Sequence, residues 1–174
     1  MIILEDTRQQ AERHAIKHKW FDENGITIKR TKLYVGDYTL PTDQSVCIDT
    51  KKDLQECISC VCAKGHERFR NELLRAQEAG IQLIILVENK GGLIKGTRDI
   101  YNPTICNLSE LHSWKNPRLF IRRNGKQLYP SATKGVTLMK ACMTLERKYG
   151  VVFKFCTPEE SGEMIVRLLN GQVD

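Results

Sequence analysis

Asp37, Asp49 and Lys51 are the residues whose types and spacing could do chemistry; they stand in the stretch YVGDYTLPTDQSVCIDTKK, Tyr34 to Lys52. Asp49 and Lys51 are two apart, so on a strand their side chains point to the same face. Asp37 follows Gly36, and the segment between can fold back as a hairpin-like connection that sets Asp37 beside Asp49. Adjacent carboxylates repel unless something positive lies between them. A divalent cation resolves that conflict, and hard oxygen ligands with a few waters suit magnesium or manganese. Lys51 would then orient or help deprotonate an attacking water, or offset charge on a pentavalent phosphate. This is the Asp…(Asp/Glu)-x-Lys arrangement of metal-dependent DNA hydrolysis. An ordinary solvated hairpin has the same spacing, so the surroundings must decide.

The elements that would position these residues follow from periodicity. Ile2 to Leu4 read as a short buried strand, and residues 9–23 show helical apolar spacing closed by Asn24-Gly25. A strand from Ile26 runs toward Val35 and breaks at Gly36; another covers Ser45 to Lys51. Asp53 can cap a helix from Leu54 toward Ala63, with Gly65 interrupting, and a second helix spans His66 to Ala79. IQLIILVEN is the clearest buried strand. Residues 90–116 read as loop with a helical turn or two near Ser109 to Lys115. LFIRRNGKQLY predicts a hairpin around Asn124-Gly125. A helix over residues 133–149, the strand VVFKFC, a capping box at Thr157 and Glu160 and a last helix toward Asn170 complete the chain. Strands alternating with helices predict an α/β fold with a central mixed sheet flanked by helices.

At 174 residues the chain is expected to form a single domain, 1–174. Hydrophobic residues at 41% and charged residues at 28% argue against disorder. A net charge of +6 makes a polyanionic partner plausible. No apolar run reaches the length of a membrane span, and MIILEDTRQQ lacks a signal-peptide layout. Seven cysteines without a secretory signal fit reduced thiols in a cytoplasm.

In order, LEDTRQ, VGDY, IDTK, GHERFRNELLRAQ and ILVEN resemble the XPF-type nuclease domain of structure-specific endonucleases in excision repair and recombination. The likeness returns at TLMKACMTLERKYGVVFKFCTPEESGEMIVRLL and is poor from Lys90 to Tyr129. It implies a restriction-endonuclease-like core with Asp37, Asp49 and Asp6 at the metal, Mg2+ or Mn2+, and Lys51 assisting catalysis. It also implies DNA contacts by Arg8, Lys52 and Arg68. Three departures stand out. Gln9 replaces a family Glu, and Asp49-Thr50-Lys51 replaces Glu-Arg-Lys. Gln55 stands where the family has Asp, with Asp53 and Glu56 as neighbours. Glu72 falls where the family tends to have Gln.

Other signals have plainer readings. Cys57, Cys60 and Cys62 fall on a predicted helix, where free cysteines pack as small apolar residues; the alternative is a zinc-thiolate site with His66. His14 and His18 lack the intervening Glu of zinc peptidases. GGLIKGTR places Lys95 before its glycine, against phosphate-loop order, and reads as a mobile loop near DNA through Lys90, Lys95 and Arg98. Arg118, Arg122, Arg123 and Lys126 suit phosphate contact or a solvated hairpin equally.

The expected activity is therefore hydrolysis of phosphodiesters in branched or flapped DNA. The alternatives are a catalytically inactive nuclease-fold DNA-binding or partner subunit and a dimeric junction resolvase. The chain ends at Asp174, with no room for the family's helix-hairpin-helix module, so it is expected to bind through its own loops, to dimerise through its nuclease domain or to borrow a partner protein. A freestanding version suits a phage or bacterial protein.

Overall fold

The computed structural model describes residues 1–9, 15–62 and 66–172. The first half of the chain supplies β1 (Ile2–Asp6), α1 (Ala15–Glu23), β2 (Thr27–Thr31), β3 (Tyr38–Thr39), β4 (Val46–Lys51), α2 (Leu54–Val61), α3 (His66–Glu78) and β5 (Gln82–Glu88). Two small ribbons follow, β6 (Gly92–Leu93) with β7 (Tyr101–Asn102) and β8 (Arg122–Arg123) with β9 (Lys126–Gln127). The chain closes through α4 (Gly135–Tyr149), β10 (Val152–Cys156) and α5 (Ser161–Leu169).

Six strands join in the order β10-β5-β4-β3-β1-β2. The pairs β1–β2, β4–β5 and β5–β10 are parallel, while β3 runs antiparallel to both β1 and β4, so the central sheet is mixed as expected. Strand alternation divides the core. Ile48, Ile84 and Leu86 face α1 and α5, packing with Phe21, Ile165 and Leu168. Cys47, Leu83, Ile85 and Val87 face α2, α3 and α4, packing with Ile58, Phe69 and Leu138. Asp49 and Lys51 have the parity of Cys47 and therefore point toward the second layer, at its open end. Among the described residues no helix is long and apolar enough to cross a membrane.

The chain departs from the sequence expectations in a few places. Part of the predicted first helix, with His14, and the expected stop at Ala63 to Gly65 lie outside the described residues. Within GGLIKGTR, Gly92–Leu93 pair with Tyr101–Asn102, Ile94 is buried, and Thr97 Oγ1 donates to the Ile94 carbonyl at 2.6 Å. Residues 103–116 are anchored by Asn89, whose side chain donates to the Ile105 carbonyl and accepts from its N–H, at 2.9 and 2.7 Å. Leu108–Ser113 is a 3-10 helix with Leu111 fully buried. The Thr157–Glu160 capping box forms, yet the helix begins one turn later, at Ser161.

Candidate active site

Gly36 places the first functional residue. Its φ of +71° suits glycine, and a Cβ there would lie 3.0 Å from the Ile48 carbonyl oxygen. The close approach lets the Asp37 N–H donate to that carbonyl at 2.7 Å, while the Asp37 carbonyl accepts from the Asp6 N–H at 2.8 Å. Tyr38 pairs with Ile48 in the antiparallel β3–β4 ladder, and Asp37, just before it, lines the same cleft as Asp49. The two carboxylates of the sequence reading thus line one cleft. Asp37 Oδ2 accepts from both the N–H and the hydroxyl of Thr50, at 2.7 and 2.8 Å. Its other oxygen takes no hydrogen bond from the described residues.

Asp49 and Lys51 are 5% and 8% exposed, an environment that only pairing makes tolerable for charge. Lys51 Nζ donates to Asp49 Oδ2 at 2.5 Å and stands 5.5 Å from the centre of the Phe69 ring. Burial pushes the Asp49 carboxyl up to about 8; Lys51 opposes this, and the charges of Asp37 and Glu72 add to it. Burial works against the Lys51 ammonium too, but Asp49 together with Cys60 and Asp37 holds the lysine above its ordinary range. The cleft that these groups share has a volume of about 430 Å³ and is also lined by Arg8, Gln9, Glu56, Arg68, Glu72 and Arg75. A larger groove of about 890 Å³, between Leu108, Met139 and Met143, contains none of the three chemistry-bearing residues.

Asp6 stands apart from the expected acidic cluster. Its Oδ1 accepts from the N–H and Nε of Arg8, and its Oδ2 from Arg8 Nη2 and the Leu33 N–H, all within 2.7–2.9 Å. With every lone-pair direction taken, this carboxylate holds Arg8 at the cleft instead of offering an oxygen to an ion. Burial would raise the Asp6 carboxyl, but those donors hold it below its usual value. Arg68 lines the cleft and is exposed, as a phosphate contact requires. Lys52 is exposed but is not part of the cleft wall; its N–H donates to Glu56 Oε2 at 2.8 Å. Asp53 is occupied as the cap of α2, accepting from the Glu56 N–H at 2.7 Å, which leaves Glu56 as the nearer substitute for the family's missing Asp.

Sequence reasoning named Thr50 and Glu72 without giving them a role and passed over Arg75. Thr50 fixes Asp37, and Glu72 accepts from the Gly36 N–H at 3.0 Å, tying α3 to the turn. Arg75 completes the wall. A signal was present: Arg68, Glu72 and Arg75 fall at i, i+4 and i+7, one stripe of a helix. Cys57 is buried in the core, Cys60 reaches the cleft wall and Cys62 is exposed. His18 Nε2 lies 3.0 Å from Oε1 of the buried Glu5.

Among the described residues no three His, Cys, Asp or Glu side chains converge as a ready-made metal cluster. What the cleft offers is a pair of hard carboxylates, and burial first, with the charges of Asp37 and Glu72 adding to it, raises the Asp49 carboxyl above its ordinary value. Such a pair fits a hard divalent cation that retains several waters.

The ERCC4 domain model matches residues 6–168. Two solved structures of XPF from Aeropyrum pernix share the fold. One has a TM-score of 0.58 at 15% identity and covers 100% of this chain and 62% of its own. The other, in complex with DNA, has a TM-score of 0.59 at 15% identity, covering 97% and 63%. The chain therefore spans less than two thirds of those structures. No curated protein sequence matches it.

Proposed function

Because the chain belongs to the ERCC4 domain family, we propose that it is a metal-dependent endonuclease acting on branched or flapped DNA. The observation that carries this reading is that Asp37 and Asp49 line one cleft, with Lys51 Nζ 2.5 Å from Asp49. Asp37, steadied by Thr50, and Asp49 are the residues that would hold Mg2+ or Mn2+. When bound, such an ion lowers the pKa of water and neutralises charge on the scissile phosphate. Lys51 keeps its proton beside Asp49, which suits orienting a water and offsetting phosphate charge better than abstracting a proton. Arg8, locked by Asp6, and Arg68, exposed on α3, both line the cleft and would engage the backbone phosphates. DNA is the proposed partner, with a second copy or another protein completing the assembly.

A second reading, an inactive DNA-binding subunit, draws on the absence of a three-ligand cluster among the described residues and on Gln9 at the cleft wall. Cleavage of end-labelled flap, fork, four-way and linear duplexes separates the two. With manganese or magnesium the wild type is expected to cut branched DNA, and chelator to stop it. Asp49→Ala and Lys51→Ala are each expected to lose about 10²-fold or more in rate. A wild type that binds these DNAs and leaves them whole sinks the nuclease reading in favour of the second.

A further inference from the structure

Residues 117–134, PRLFIRRNGKQLYPSATK, contain Arg118, Arg122, Arg123, Lys126 and Lys134 and no acidic residue. The rest of the chain then holds 22 basic against 21 acidic residues, so nearly all of the +6 net charge sits in this one segment. Its strands β8 and β9 are two residues each, turned by Asn124 and Gly125 at φ of 50° and 75°. Residues 121–131 are exposed without exception. Arg122, Arg123 and Lys126 form no ion pair with the described residues, whereas Arg8, Lys17, Lys51 and Lys90 each have a carboxylate partner. Ile121, Leu128 and Tyr129 also stand open, at 41%, 45% and 44% exposure.

Topology decides where this charge is presented. The Gly150 carbonyl at the end of α4 accepts from Gln82 at the start of β5, at 2.8 Å. The fifteen residues of α4 then carry the chain about 22 Å back along the sheet. Its N-terminus, where the hairpin is rooted, packs against the Leu111 and Trp114 carbonyls, in the segment that Asn89, one residue past β5, anchors at Ile105, and so lies toward the end where β5 finishes. The root is firm. Asn116 donates to the Thr133 carbonyl at 2.9 Å, and Gly135 sits so close that a Cβ would meet the Leu111 carbonyl oxygen at 2.1 Å.

We propose that the 117–134 hairpin is a second DNA-binding element, gripping the phosphate backbone of a duplex arm that leaves the cleft. This rests on the DNA nuclease reading and names the element that holds the substrate outside the cut site. Unpaired guanidinium and ammonium groups on a protruding, firmly rooted finger match phosphates, and release of condensed counterions would drive the contact.

The test is fluorescence anisotropy with a branched DNA, in chelator, from 50 to 200 mM salt. R122Q/R123Q/K126Q changes only exposed side chains. Each lost phosphate contact removes about 0.9 from the slope of log affinity against log salt, so a fall of about 2–3 is expected. Affinity at the middle of the range should drop about 10²-fold. A control, K29Q/K140Q/R147Q, removes the same charge elsewhere and should change the slope by less than about 1. Equal losses in the two triple variants overturn the proposal, because net charge alone would then explain them. If wild-type protein binds and cuts DNA yet the hairpin variant keeps its slope, only this proposal falls, and the finger belongs to an acidic protein surface. If wild-type protein binds no DNA, the nuclease reading falls and takes this one with it.

Discussion

Thr50 shows how much at this site depends on a single hydroxyl. It stands between Asp49 and Lys51, and its N–H and hydroxyl both hold Asp37 Oδ2, which fixes the direction of the other oxygen. Thr50→Val keeps the β-branch and the N–H but removes one donor. Metal affinity and cleavage are expected to fall about 10–100-fold, as for other groups that orient a ligand. Stability should change by only about 1 kcal/mol, and Thr50→Ser should restore activity. Manganese titration beside a cleavage assay checks this, and a Val variant equal to wild type in both would remove Thr50 from the positioning role. Asp49 and Lys51 were legible because a strand repeats every two residues, and Asp37 because a glycine precedes it. Asp6 was not. Its donors come from Arg8 folded back on it and from Leu33, an N–H brought close only by tertiary structure.

At the scale of elements, parity made the strands of the sheet readable, since apolar alternation reports which face is covered. Residues 90–116 were unreadable because side-chain caps hold them where periodicity does not: Asn89 on Ile105, Asn107 on the Glu110 N–H and Asn102 on the Lys115 N–H. Helix α1 has a different anchor. Lys17 reaches through to Glu88 at the end of β5, with the two side chains 4% and 10% exposed. Removing one partner of such a pair leaves a buried charge alone. Lys17→Met is expected to cost about 3–5 kcal/mol, while Lys17→Met with Glu88→Leu should recover most of that, as apolar replacements of buried pairs do. Urea unfolding midpoints of the three proteins decide it. A single variant as stable as wild type would mean that the pair is solvated and does not pin α1.

For the whole molecule, the carboxylates of the cleft set fold stability against function. Burial first, then Asp37 and Glu72, lift Asp49 from 3.8 to about 8 despite Lys51, so the folded protein binds a proton there that the unfolded chain releases. Without metal, that group favours folding below its unfolded value, and the contribution is lost as pH rises through about 8. A divalent cation acts in the opposite sense, because it must displace the same proton and so binds more tightly as pH rises toward 8. At about 100 times its dissociation constant a cation adds about 2.7 kcal/mol. For a chain of this size that is a rise in Tm of about 5–10 °C. The Mn2+-induced rise, read by calorimetry at one fixed concentration, is expected to be larger at pH 8.5 than at pH 6.5. The pH dependence should vanish in Asp49→Asn, and the rise itself in Asp37→Asn with Asp49→Asn. An equal rise in wild type and double variant would place the cation elsewhere on the protein. The cleft would then be a structural pair of carboxylates, with Lys51 as its counter-ion.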